Sequence, residues 1–206
     1  MPNRSRAIIL TTLCFVLCHL GGCAPTRELY RSPGNTTYYV DSERGNDRSD
    51  GTTPDQAWKS LAPVKGTLFA PGDRILFKAG SRFSGQLKPN GSGKEGAPIV
   101  IDMYGEGNRP RIEAAGRYHE ALLLKNQEYW EVNNLELTNT GWMRRKFRYG
   151  VRVVAWDFGT MHHIHLKNLF IHDVNGSLRK QDRGEGHGIA WENGGKKIRS
   201  RFDGLL

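Results

Sequence analysis

"YWEVNNLELTN" (129–139) and "HIHLKNLFIHD" (163–173) decide how this chain folds. Set one above the other, Trp130 falls on Ile164, Val132 on Leu166, Leu135 on Leu169 and Leu137 on Ile171, always at an offset of 34. In each row apolar residues alternate, break once at Asn133-Asn134 or Lys167-Asn168, and alternate again. Period-two alternation marks a strand that buries one face, so each row is two short strands joined by a two-residue bend. Asn134 and Asn168 take the second place in that bend. A sharp bend there demands a left-handed backbone, which asparagine tolerates better than other non-glycine residues. The last residues, "RFDGLL" (201–206), continue the series at an offset of 36, with Phe202 on Leu166, Gly204 on Asn168 and Leu205 on Leu169.

A third strand per coil is expected in "EALLLKN" (120–126), "GVRVVAW" (150–156) and "GIAWEN" (188–193). Three short strands per turn with a period in the thirties predict an all-β solenoid, the parallel β-helix. Leucine-rich repeats are shorter, propeller blades need hairpins, and no helical period runs through 120–206. The chain stops at Leu206 inside the strand that the repeat predicts. Solenoids need several coils and a cap at each end, so the expectation is an N-terminal piece of a longer protein whose C-terminal coils are missing.

The first residues read differently. Two arginines and no acid precede an apolar run from Ala7 to Leu20, too short to span a bilayer comfortably, and small residues follow. This is the pattern of an export signal. Leu20-Gly21-Gly22-Cys23 resembles the lipobox of bacterial lipoproteins, which implies removal of residues 1–22, lipidation of Cys23 and attachment of the exported protein to a membrane, periplasmic or at the cell surface. Cys14 and Cys18 would leave with the signal, so the mature chain has no disulfide and no cysteine-based metal site. Removing residues 1–22 lowers the net charge from +9 to +7. Such a basic exported protein suits anionic glycans and lipid headgroups, and export argues against nucleic acid.

Residues 23–36, with Pro25, Pro33 and Gly34, suit a lipid-anchored tether. Residues 37–119 form the N-terminal cap and the first β-helix strands, and 120–206 the coils proper. "TYYVD" (37–41), "PGDRILFKAG" (71–80) and "APIVIDMYG" (97–105) read as strands. Thr53-Pro54-Asp55-Gln56 is a capping box with proline at the first helical position. It predicts a helix to about Ala62, stopped by Pro63, whose Trp58, Leu61 and Ala62 would plug the end of the coil. The Asp-rich "DSERGNDRSDG" (41–51) fails the EF-hand frame, offering Arg48 and Ala57 where ligands belong, and reads as Asx-turns.

With "YYVDSERGNDRSDGTTPDQAWKSL", "PGDRILFKAG", "GAPIVIDMYGEG", "HHIHLKNLFIHDVNG" and "SRFDGLL" in view, residues 38–206 resemble the right-handed parallel β-helix proteins of the pectate-lyase-like superfamily. That resemblance implies the handedness, the N-terminal cap and a polysaccharide lyase or glycoside hydrolase, with Ca²⁺ as a cofactor some members use. Lyase action on an acidic polysaccharide is the leading expectation. A glycoside hydrolase, or a non-catalytic glycan-binding coil, is the alternative.

A lyase needs a base and a cation that neutralises the uronate carboxylate, whereas a glycosidase needs two carboxyls. In "GWMRRKFRYGVR" (141–152), Arg144, Arg145, Arg148 and Tyr149 are candidate substrate contacts, because guanidinium forks suit carboxylates and flat rings suit sugar faces. The second loop, "NGSLRKQDRGEGHGIAWEN" (175–193), offers Lys180, Arg183 and His187 as candidate catalytic groups. His172 joins them as a catalytic candidate and His165 as a substrate contact. His163 and His165 should point outward about 7 Å apart. His165 should lie beside Glu131, and a third zinc ligand would have to come from elsewhere, so no metal site is assigned. Asp173 and Asp203 are the candidate glycosidase carboxyls.

Overall fold

In a computed structural model of the chain, residues 28–179, 181 and 186–206 are described. Beyond the first few, strands recur in threes and every third one pairs in parallel. The first sheet stacks β2 (Thr37–Val40), β4 (Arg74–Lys78), β7 (Ile99–Tyr104), β10 (Trp130–Asn133), β13 (Thr160–Lys167) and β16 (Arg201–Leu205). The second stacks β5 (Arg82–Ser84), β8 (Arg111–Glu113), β11 (Glu136–Asn139) and β14 (Phe170–Val174). The third stacks β9 (Glu120–Lys125), β12 (Arg148–Trp156) and β15 (Gly186–Gly194). A small sheet of β1 (Tyr30–Arg31), β3 (Thr67–Phe69) and β6 (Asn90–Gly91) completes the N-terminal part. Parallel pairing of every third strand, with no hairpin between neighbouring strands among the described residues, is the parallel β-helix the repeat predicts.

The apolar positions stack into ladders along the inside. Ile75, Ile101, Val132 and Leu166 are successive partners in the first sheet, and Phe83, Ile112, Leu137 and Ile171 in the second. Leu122, Val151 and Ile189 follow suit in the third. Ile75, Ile101, Val132, Ile112, Leu137, Leu122 and Val151 are wholly buried, so the three inner faces meet in one core.

Two bends turn as expected. Asn134 and Asn168 hold φ of 57° and 52°. Their side chains form a ladder, with Asn134 Nδ2 donating to Asp102 Oδ1 (2.7 Å), Asn168 Nδ2 to Asn134 Oδ1 (2.5 Å) and Arg109 Nη2 to Asn168 Oδ1 (2.5 Å).

The last coil departs from expectation. Phe202 pairs with Met161 and Leu205 with Ile164, so the offset there is 41 and not 36. Gly204 (φ 68°) therefore stacks on His163 (φ 49°), not on Asn168. The turn before β16 is longer than its counterpart below and shifts the register.

The expected helix is also different. Thr53 does cap a helical turn, its Oγ1 accepting from Gln56 N, but Pro54–Gln56 is a single 3-10 turn. Trp58 is then drawn into a parallel bridge with Val40, which a continuous helix would forbid. Ser60 starts a separate helix, α1 (Leu61–Gly66). Pro63 lies in its first turn, where a missing N–H costs no hydrogen bond, so it does not stop the helix. Trp58, Leu61 and Val64, rather than Ala62, face the core, and Trp58 stacks on Tyr38 at 4.9 Å. The Asp-rich segment supplies turn acceptors: Asp41 Oδ1 accepts from Glu43 N and Arg44 N, Asp50 Oδ1 from Thr52 N, and Asp47 Oδ1 from Lys59 N and Ser60 N. Among the described residues no helix is long and apolar enough to cross a membrane.

Candidate functional site

Two loops enter the third sheet from the second, one between β11 and β12 (140–147) and one between β14 and β15. Arg144, Arg145, Arg148, Tyr149 and His187 thereby come to one edge of the coil. On the outer face beside them, Tyr149 and His187 are stacked rung partners, 5.4 Å apart at 13°. The Arg152 guanidinium lies over the Tyr149 ring at 5.0 Å. It also bridges coils, donating to Glu192 through Nε (2.9 Å) and Nη2 (2.7 Å) and to Glu120 through Nη1 (2.9 Å). The hydrogen bonds to Glu192 outweigh burial, and with those to Glu120 they hold the guanidinium charged well above its usual range. Two carboxylates bound to one guanidinium fix a surface and offer no proton. Tyr149 itself is largely buried and serves as the floor of this face, not as an open sugar platform.

Arg148 is the clearest departure from the sequence reading. It is only 4% exposed, with Nη1 donating to Asn175 Oδ1 (3.1 Å) and Nη2 to Met143 O (3.0 Å). Burial, and then Arg145, lower its pKa. Glycines make its seat: a Cβ at Gly116 or at Gly141 would collide with Nη1. Asn139, fully buried, donates to the carbonyls of His119 (2.8 Å) and Tyr149 (3.1 Å) from below. The basic loop is thus folded around Arg148, whose guanidinium is held within the protein while its side chain borders the shallow cleft beside Trp142.

What the loop shows outward is aromatic and basic. Trp142 is 90% exposed, and Met143 and Phe147 are exposed beside it. Phe147 leans on His119 (6.0 Å) and carries the Lys146 ammonium at 5.3 Å. Arg145 is exposed and lines a shallow cleft with Trp142, Met143 and Ala115. Arg144 is exposed too, and reaches Gly176 O at 3.3 Å. Lys180 and Arg183 lie outside the described residues, as do Cys23 and the whole signal segment. His187 is described and exposed.

On the second sheet, His172 sits between two carboxylates on neighbouring coils. Its Nε2 meets Glu136 Oε1 at 2.7 Å and its Nδ1 meets Asp173 Oδ2 at 3.0 Å. Arg111 reaches the same Glu136 oxygen at 2.5 Å. Burial works against the Glu136 charge, yet hydrogen bonds from His172 and Arg111 prevail and hold its carboxyl below the usual range. Asp173 is exposed at the end of this face with φ 52°, and its carbonyl accepts from Thr140 Oγ1 at the root of the first loop. Asp203, the other expected carboxyl, lies on the first sheet opposite His162 and does not join this group.

The first sheet gathers a third group. Glu131 and His165 are rung partners as expected. His163 and His165, however, do not keep the spacing of alternate strand residues. With His163 at φ 49°, the two rings lie 3.8 Å apart between centroids. His163 Nε2 is 2.9 Å from Glu131 Oε1. Burial, then His163 and Lys167, lower the His165 pKa. Sequence reasoning missed Glu120, Glu192, Glu136 and Arg111 as members of these groups. The usable signal was charge complementarity across one coil.

No family model matches the chain. It is 30% identical over 203 residues to the lacto-N-biosidase of Bifidobacterium longum, an alignment covering 73% of this chain and 13% of the relative. It is 34% identical over 98 residues to alpha-1,3-galactosidase A of Akkermansia muciniphila, covering 45% of this chain and 16% of that one. Among solved structures it is similar to the GH136 lacto-N-biosidase of Eubacterium ramulus, with 31% identity and a TM-score of 0.72 over 82% of this chain. The chain spans about a third of the length of that solved relative. The similarity is to β-helix-like carbohydrate-active enzymes that are hydrolases by name, which favours the hydrolase alternative over the lyase expected from the sequence.

Proposed function

We propose that this chain acts on a glycan as a glycoside hydrolase or as part of one. The observation that carries the reading is the 31% identity to a lacto-N-biosidase over 82% of the chain. Two features of the surface support it. The exposed Trp142 and Phe147, with His187 beyond them, offer flat faces to a sugar, and Arg144 and Arg145 favour a glycan with acidic substituents. Glu136 and Asp173 are carboxyls on neighbouring coils joined through His172, and glycoside hydrolysis uses two carboxyls. Glu136, held ionised, suits the base or nucleophile, and His172 between the two positions both carboxylates. Export and attachment through a lipid on Cys23 belong to the same proposal and rest on residues 1–23 alone.

The test is to incubate the purified chain with oligosaccharides ending in lacto-N-biose or in α-1,3-linked galactose, and in parallel with uronic acid polymers. New reducing ends from the first set, lost in Glu136→Gln and Asp173→Asn, are expected. Unsaturated ends from the polymers would return the lyase reading. Binding without any new end would leave a glycan-binding coil and overturn the hydrolase assignment for this chain.

A further inference from the structure

The group on the first sheet has the composition and spacing of a metal centre. Alternate residues of a strand normally stand about 7 Å apart, and His163 and His165 do not. A left-handed backbone at His163, uncommon for any residue but glycine, brings its ring 3.8 Å from that of His165. Glu131, one coil below, supplies a carboxylate oxygen 2.9 Å from His163 Nε2 and 3.8 Å from His165 Nδ1. One donor atom from each of the three residues lies within 4.8 Å of the others. Ligands about 2.0–2.1 Å from a tetrahedral zinc ion stand about 3.3 Å apart, so the two observed separations straddle the required one.

His165 carries a second, independent sign. Its Nδ1 is buried and has no hydrogen-bond partner, and buried polar atoms are rarely left so. With the ring proton on Nε2, Nδ1 presents a bare lone pair, the form in which a histidine ligates a metal. The side chains of Glu131, His163 and His165 are still 19–31% exposed, so one face of the group is open to water.

We propose that Glu131, His163 and His165 form a three-ligand site for a divalent transition metal, with zinc the best match and a fourth position open to solvent. Two imidazoles and one carboxylate suit zinc. They do not suit Ca²⁺, which takes six to eight oxygens, so this centre is distinct from the Ca²⁺ that the family resemblance implies. The proposal does not depend on the glycosidase reading.

The test uses the purified chain stripped with chelator and titrated with Zn²⁺ alone by calorimetry, then with Co²⁺ for the visible spectrum. One zinc per chain is expected, with a four- or five-coordinate cobalt spectrum. Affinity should fall more than about tenfold in His165→Gln, Glu131→Gln and His163→Asn. Asparagine is chosen at 163 because it tolerates the left-handed backbone, and circular dichroism checks that each variant folds. Absence of stoichiometric binding would overturn the proposal. So would zinc affinity unchanged in His165→Gln, or binding abolished by His162→Ala while His165→Gln retains it.

Discussion

Asn168 stands directly above Asn134 in the coil and donates its side-chain amide to the Asn134 Oδ1 across 2.5 Å, both residues holding left-handed backbones. The stack bends at the same place twice because the same side chain solves the same two problems: it tolerates the conformation and it pairs with its copy. Replacing Asn134 by alanine keeps the bend but removes both its side-chain bonds, and adds left-handed strain of about 1–2 kcal/mol. We expect Asn134→Ala to cost about 2–5 kcal/mol, combining that strain with two net hydrogen bonds of about 0.5–1.5 kcal/mol each. Asn134→Gly should cost less, because glycine carries no such strain. Urea unfolding of the two variants measures the difference.

Gly141 makes room for Arg148, and a methyl group there would run into the guanidinium. The arginine is held by Asn175 and by the Met143 carbonyl, so it has nowhere to retreat. Gly141→Ala should therefore release the 140–147 loop, seen as new protease cleavage within it, while the far-UV spectrum stays that of the coil. Restoring space with Arg148→Lys in the same chain should recover part of the protection.

Acid should loosen the second sheet at Glu136. The Glu136 carboxyl is held below its ordinary value of 4.5. A depressed carboxylate contributes stability that is fully present above the unfolded value and is lost as pH falls through the folded one. In Glu136→Gln that loss cannot occur, so the variant should be less stable than the parent at neutral pH and the gap should narrow below about pH 4. Thermal unfolding from pH 3 to 7 checks this.

Trp142 touches little of the protein, being 90% exposed. Trp142→Ala should change stability by no more than about 0.5 kcal/mol. If the loop receives sugar, glycan affinity should fall several-fold, in line with about 0.5–1.5 kcal/mol for an aromatic contact. Glycan titration and thermal unfolding of the same sample separate the two effects.

Arg152 ties three coils through Glu120 and Glu192. Arg152→Met would leave Glu120, only 5% exposed, without its cation. Removing one partner of a buried pair costs about 3–5 kcal/mol, and the partial exposure of Glu192 reduces that to about 2–3 kcal/mol here. Arg152→Lys should recover less than half, because an ammonium cannot make the paired contacts to Glu192. Urea unfolding of the three chains measures both losses.

How much of this was legible beforehand varies by residue. The recurrence of Trp130, Val132, Leu135 and Leu137 one coil later was enough for the parallel coil, because burial of alternate residues leaves its mark in composition. The placement of Leu205 was not, since Phe202 matches Leu166 and Met161 equally well by hydropathy and only the length of a turn chooses between them. The burial of Arg148 was not legible, because an arginine in a basic loop reads as solvated. Only the meeting of Gly116 and Gly141 in space reveals its seat. The nearness of His163 to His165 follows from one left-handed φ at a histidine, and strand alternation predicts the opposite spacing. Glu136 falls in the second strand of the first quoted row, yet its bonds to His172 and Arg111 depend on rotamers that no pattern encodes.

The offset between stacked partners grows along the coil, from 34 at Trp130 and Ile164 to 38 at Tyr149 and His187 and 41 at Thr160 and Arg201. Extra length enters only at a bulge and in the turns, and the inward ladders stay in phase. A solenoid built this way can lengthen, shorten or exchange its rim loops without renegotiating its interior. Diversification of what the rim grips, by natural insertion or by grafting, is then uncoupled from the folding of the frame that carries it.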